Sequence, residues 1–154
     1  MFKPTTLEEI EHLKSETLTL LLENIYEDKE GLLLYIYKVY LKGRYHPIGR
    51  VTLRFGESEE VRLLGNVGYH IKRRYRGKGY AKGVLVLIMA LLKRYEVKAI
   101  KLTTDAMNMA SQRVALGLGA IEVERIVVKQ RVMTKGTGQR VDKCVKIVYK
   151  LEIK

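Results

Sequence analysis

VGYHIKRRYRGKGYAKGVLVLIMA, residues 67–90, decides how this 154-residue chain is read. Val67, Tyr69 and Ile71 form a β-branched and aromatic run with period-two spacing, the signature of a strand. A basic, glycine-bearing turn follows, from Arg73 to Gly79. Beyond it Val84, Leu87, Ile88, Leu91, Leu92 and Tyr95 recur at helical spacing, which predicts a helix over 80–95. The apolar residues between them predict that it is covered on most sides. A helix start leaves its first N–H groups without partners and carries partial positive charge. Strand, glycine turn and helix start therefore present donors to an anion. The other reading is a basic surface turn with a glycine cap.

Other phosphate-binding patterns fit this stretch poorly. No Gly-x-x-x-x-Gly-Lys-Ser/Thr string occurs, and the dinucleotide pattern fails because Lys82 stands where its third glycine belongs. What is present is Arg74-x-x-Gly77-x-Gly79, followed by Tyr80 and Ala81. It resembles motif A of the GNAT family of N-acetyltransferases, whose turn binds the pyrophosphate of acetyl-coenzyme A. Downstream, Asn108-x-x-Ser111-x-Arg113 leads into Leu118-Gly119-Ala120, similar to the helix that follows strand five in that family. The two motifs cover 66–120, about a third of the chain.

The resemblance implies an α/β fold: a single GNAT-like domain over 1–154, with a mixed, mostly antiparallel sheet flanked by helices. Strands four and five of that sheet splay apart around the coenzyme. It implies acetyl transfer from acetyl-CoA, as cosubstrate, to a primary amine: a protein N-terminus, a lysine or a small amine. By motif, the pyrophosphate falls on the N–H groups of Arg76, Gly77, Lys78, Gly79, Tyr80 and Ala81, with Arg74 nearby. Asn108 and Ser111 contact the pantetheine arm, and Arg113 reaches the coenzyme or is simply solvated. A backbone N–H near Ile71 faces the thioester oxygen. His70 is the candidate base, since imidazole titrates near neutrality, although a lone strand histidine is also commonly structural. Many members place an acidic tyrosine where this chain has Ala115. Tyr149 or solvent then supplies the acid, or activity is weak. Tyr149 also suits core packing.

The rest of the chain fills in the sheet. Thr6-x-x-Glu9 predicts a capped helix to about residue 14. Strands are expected at 18–26, 32–41, 48–55, 62–72 and 98–104, with 56–60 an acidic loop. A helix is expected over 108–118, and a hairpin with arms 121–134 and 141–153. Residues 27–31 form a tight turn where the family usually inserts two helices, which implies an open acceptor site or one completed by a second copy. Forty-seven per cent hydrophobic residues suit a globular core.

The single cysteine, Cys144, excludes an intramolecular disulfide and suggests a cytoplasmic chain. No metal-ligand spacing, signal peptide or membrane-length apolar run is seen. The net charge of +12 leaves room for a ribosome-associated or acidic partner, or for an inert basic surface. Two alternatives to the enzyme remain. One is an acetyl-CoA sensor without turnover. The other is a nucleic-acid-binding module using Lys72, Arg73, Arg74, Arg76, Lys78 and Lys82, with Tyr75 and Tyr80 interleaved.

Overall fold

Eight strands and four helices make up the protein, in a computed structural model that describes residues 8–136 and 138–154. The order is α1 (Glu8–Glu11), β1 (His12–Lys14), β2 (Leu18–Glu27), β3 (Leu33–Leu41), β4 (Gly49–Arg54), α2 (Glu59–Leu64), β5 (Val67–Ile71), α3 (Tyr80–Arg94), β6 (Ala99–Asp105), α4 (Met109–Gly117), β7 (Ile121–Thr134) and β8 (Gly138–Glu152). A short 3₁₀ turn, Arg73–Tyr75, lies between β5 and α3. All strand pairings are antiparallel. One sheet runs β1-β2-β3-β4-β5 and a second runs β6-β8-β7. The mixed α/β architecture matches expectation.

Of three local readings, one, the Thr6 capping box, lies outside the described residues, and two change. The first helix stops at Glu11, and His12–Lys14 instead pairs with β2 as an edge strand. The third concerns the strand expected over 62–72, which loses its first half to a helix. Ser58 caps that helix, its hydroxyl accepting the Val61 N–H at 3.0 Å, and Glu59 and Glu60 sit favourably in the first turn. The acidic loop was in fact this helix start.

Alternation in β4 buries Val51 and Leu53 and leaves Arg50 outside. Together with Leu20, Tyr37 and Val39 they form the floor against which α3 packs through Val84, Leu85, Ile88, Leu91 and Leu92. Val86 and Ala90 are exposed, so α3 is wet along one face rather than covered on most sides. Burying five such side chains contributes on the order of 10 kcal/mol before ordering costs. No helix among the described residues is long and apolar enough to cross a membrane.

β5 and β6 run side by side in the same direction but bond at one end only. There the Asn66 N–H reaches the Lys101 carbonyl at 2.8 Å. The Asn66 side chain, buried, accepts the Lys101 N–H at 2.7 Å and donates to the Arg54 and Gly56 carbonyls at 3.0 and 3.2 Å. Gly65 lets the backbones meet, since a Cβ there would lie 2.9 Å from the Thr103 nitrogen. Beyond this staple the strands part, and neither bonds the other. The splay expected of strands four and five is present.

Candidate active site

Antiparallel pairing fixes which groups of β5 face the gap. The Lys72 N–H bonds the Ile48 carbonyl and the Arg54 N–H bonds the Asn66 carbonyl. Hydrogen-bonded pairs alternate, so Gly68 and His70 bond β4, while the N–H groups of Val67, Tyr69 and Ile71 point into the splay. The Ile71 carbonyl, on that same side, accepts the Arg76 Nε at 2.7 Å. The donor expected near Ile71 is therefore available, and Val67 and Tyr69 offer two more.

The glycine turn forms the next wall. Gly77 and Gly79 hold φ of +75° and +81°, and a Cβ on either would project into open space. Both the left-handed backbone and the room above it suit a ligand lying close to the main chain. Six consecutive N–H groups, Gly77 to Lys82, have no acceptor among the described residues; the first helical bond is Gly83 N–H to the Gly79 carbonyl. This row is shifted by one from expectation. The Arg76 N–H bonds the Arg73 carbonyl at 3.2 Å, so Arg76 serves the cleft through its guanidinium instead.

The two walls and α4 enclose a cleft of about 340 Å³. It gathers His70, Ile71, Arg76, Gly77, Gly79 and Tyr80 with Ala81, Asn108, Ser111 and Arg113. Arg76, Lys82 and Arg113 are its charges, and among the described residues no carboxylate lines it. Asn108 caps α4, accepting the Ser111 N–H at 3.1 Å, which orients both side chains at the cleft edge. Arg113 is exposed there.

Arg74 and Lys78 do not line the cleft. Arg74 lies over the Tyr75 ring, 4.9 Å from its centroid, and donates to the Tyr75 hydroxyl. Tyr75 and Tyr80 turn into the cleft. Tyr75 also borders a separate outer groove with Arg74, Tyr45 and His46.

His70 is exposed at the cleft mouth, where it also borders a groove with Arg50 and Lys72. Tyr149 is buried in β8, opposite Leu102 and Glu122, and lines no part of the cleft. Cys144 is occupied as well: its thiol donates to Asp105 at 3.0 Å, and that bond, ahead of burial, raises its pKa. A thiol held protonated is a poor nucleophile.

The residue that sequence reasoning missed is Tyr69. Its hydroxyl donates to Ser111 Oγ at 3.3 Å, bridging β5 and α4 across the splay. Burial raises its pKa above the ordinary tyrosine value, partly opposed by the bond to Ser111. The same ring walls an inner chamber floored by Leu85, Leu102 and Ala115. The available signal was its position, two residues before Ile71 and on the same face.

Comparison with known proteins agrees with this geometry. The acetyltransferase (GNAT) domain profile matches residues 2–121. N-alpha-acetyltransferase 30 of Saccharomyces cerevisiae is 30% identical over 81 residues, which is 52% of this chain and 46% of that protein; the match thus spans about half its length. Among solved structures, a GNAT-family acetyltransferase from Bacillus anthracis superposes with a TM-score of 0.64 at 13% identity, over 92% of this chain and 98% of that one. The ribosomal-protein-S5-alanine acetyltransferase of Vibrio fischeri gives 0.62 at 16% identity, over 92% and 96%. A microcin C7 self-immunity acetyltransferase, solved with acetyl-CoA and AMP, gives 0.56 at 14%, over 78% and 61%. With its splayed strands, uncapped glycine turn and family match over most of its length, this chain belongs to the GNAT family of acetyltransferases.

Proposed function

We propose that the chain transfers an acetyl group from acetyl-CoA to the free N-terminal amine of a polypeptide. The observation that carries the transfer is the row of unpaired N–H groups from Gly77 to Lys82, opening on a cleft without carboxylates. A pyrophosphate is the ligand such a row suits. The N-terminal acceptor is supported by the yeast relative, named for that reaction. The tight turn between β2 and β3, closed by Asp28, adds support by leaving the acceptor side open to an extended chain.

Bound acetyl-CoA supplies the acyl group as a thioester. The chain's own residues do the rest. A β5 N–H in the splay donates to the thioester oxygen as charge builds there. The amine must lose a proton to attack, and His70 at the cleft mouth accepts it directly or through water. The C–N bond forms, the C–S bond breaks, and the sulfur leaves with a proton from the Tyr69 hydroxyl. Burial keeps that phenol protonated at neutral pH. Arg76, Lys82 and Arg113 hold the phosphates.

A sensor without turnover is the second reading, favoured by the methyl side chain of Ala115, buried where many relatives carry a hydroxyl. Thiol release is measured with acetyl-CoA and matched peptides, one with a free N-terminus and one blocked but carrying lysine. Release with the free peptide alone supports the proposal. Release with the blocked peptide reassigns the acceptor to lysine. Tight acetyl-CoA binding with no release across peptides and small amines supports the sensor.

A further inference from the structure

β7 and β8 extend well beyond the sheet they belong to. β6 pairs with β8 only from Lys146 to Glu152, while β7 and β8 continue together out to Thr134 and Gly138. Beyond Val145, whose carbonyl still accepts the Ala106 N–H at 2.8 Å, the excess is a two-stranded arm with no further strand on either outer edge among the described residues. Residues 125–146 carry seven lysines and arginines against one aspartate, a net +6 of the chain's +12. Half the net charge sits on this arm.

The charge is sorted by face. Residues 127, 129, 131 and 133 of β7 lie opposite 145, 143, 141 and 139 of β8, and all eight are exposed. This face holds Lys129, Arg131 and Lys143 with Val127, Val141, Val145 and Met133, and no carboxylate. Lys129 and Lys143 are directly opposed, an unfavourable pairing for a free sheet. Among the described residues no carboxylate pairs with Lys129, Arg131, Lys135 or Lys143; Arg125 and Arg140 are engaged by Glu122 and Asp142. The other face carries Asp142 and is mostly half-buried.

We infer that this arm is a binding surface for double-stranded nucleic acid, held through the phosphate backbone. Opposed, unpaired cations are relieved by a polyanion, whose counterions are released on binding. A two-stranded ribbon fits the major groove of B-DNA, and against an A-form duplex it lies across the wide minor groove and its flanking phosphates. Residues 121–146 contain no aromatic side chain, so the arm lacks the stacking platform that single strands require. Membrane-surface segments favour Trp and Tyr at the interface, also missing here. A second copy would oppose like charge to like. The root of the arm, Lys146, lines the inner chamber of the cleft, so a docked duplex lies beside the acyl-transfer site.

The test is fluorescence anisotropy on the full chain without acetyl-CoA, so its outcome is independent of the acetyltransferase reading. Probes are one labelled RNA as duplex and as single strand, the matching DNA duplex, and polyglutamate of similar charge. Salt is varied from about 50 to about 200 mM. The inference expects the duplexes to bind tightest, with log K falling linearly in log salt. In K129Q/R131Q/K143Q that slope becomes shallower by about 3 and duplex affinity falls at least about tenfold, with acetyl-CoA binding by calorimetry unchanged. RNA duplex above DNA duplex, or the reverse, names the natural polymer within the inference. Overturning results are no duplex binding at the lowest salt, equal binding by the triple variant, tighter binding to single strand, or polyglutamate bound as well as duplex. The intact acetyl-CoA isotherm of the variant separates loss of the arm from loss of the fold.

Discussion

β5 and β6 are two strands that behave differently at their two ends. At Gly65 and Asn66 the backbones touch and each polar group finds a partner; at Ile71 and Asp105 they stand apart with donors unpaired. One buried side chain, Asn66, takes the place of the missing ladder at the closed end. The closed end contributes stability, and the open end contributes a place for another molecule's backbone and phosphates. A strand pair zipped along its length would be more stable and would have no site. The division predicts that damage to each end shows in a different measurement.

The largest effect is expected from G79E, which puts a carboxylate into the open space above the helix start. Acetyl-CoA binding by calorimetry falls by at least about a hundredfold, while the left-handed φ of +81° at this position adds a stability loss of only about 1 kcal/mol. Asn66→Ala should do the reverse. It leaves the Lys101 N–H and two carbonyls without their partner and costs about 2 kcal/mol in urea unfolding, with coenzyme affinity changed less than about threefold. Large losses of both in either variant would collapse the distinction between the two ends.

Tyr69→Phe sharpens it further, because the ring stays and only the bridge to Ser111 is lost. We expect kcat to fall about tenfold with KM for acetyl-CoA nearly unchanged. The sign of the pH dependence follows from the raised pKa of Tyr69. The hydroxyl is protonated through neutral pH and loses its proton only above the ordinary tyrosine value. The wild-type rate therefore declines on the alkaline side, and Tyr69→Phe lacks that limb. A purely structural bridge would lower stability and leave the profile unmoved. The smallest effect is expected from Arg76→Gln, which removes one charge from the cleft but keeps a donor near the Ile71 carbonyl: about fivefold weaker acetyl-CoA binding, with a shallower salt dependence.

The open end was largely legible in the sequence, because glycine turns and helix starts are local. Arg74-x-x-Gly77-x-Gly79 and Asn108-x-x-Ser111 each specify geometry within a few residues, and both meet at the cleft. Within the motif the fine assignment slipped: Arg74 stacks on Tyr75, and the free N–H row starts at Gly77. The closed end was not legible. Asn66 acts through Lys101, Arg54 and Gly56, contacts that no spacing rule announces. The same holds for the Tyr69 bridge, which spans 42 positions. Helix α2 was missed although its Ser58 cap is a local signal, because apolar Val61 and Leu63 also alternate as a strand does.

The order β6-β8-β7 means that the middle strand of the second sheet follows both of its neighbours in the sequence. As the polypeptide is synthesised, β6 and β7 therefore emerge with open edges and must wait for β8 to slide between them. During that interval the backbone edges of β6 and β7, which β8 later pairs with, remain open and prone to pairing with other chains. A nascent chain stopped before residue 138 should be markedly more aggregation-prone than the finished one, and Lys98 just before β6 and Lys101 within it then act as gatekeepers against such pairing.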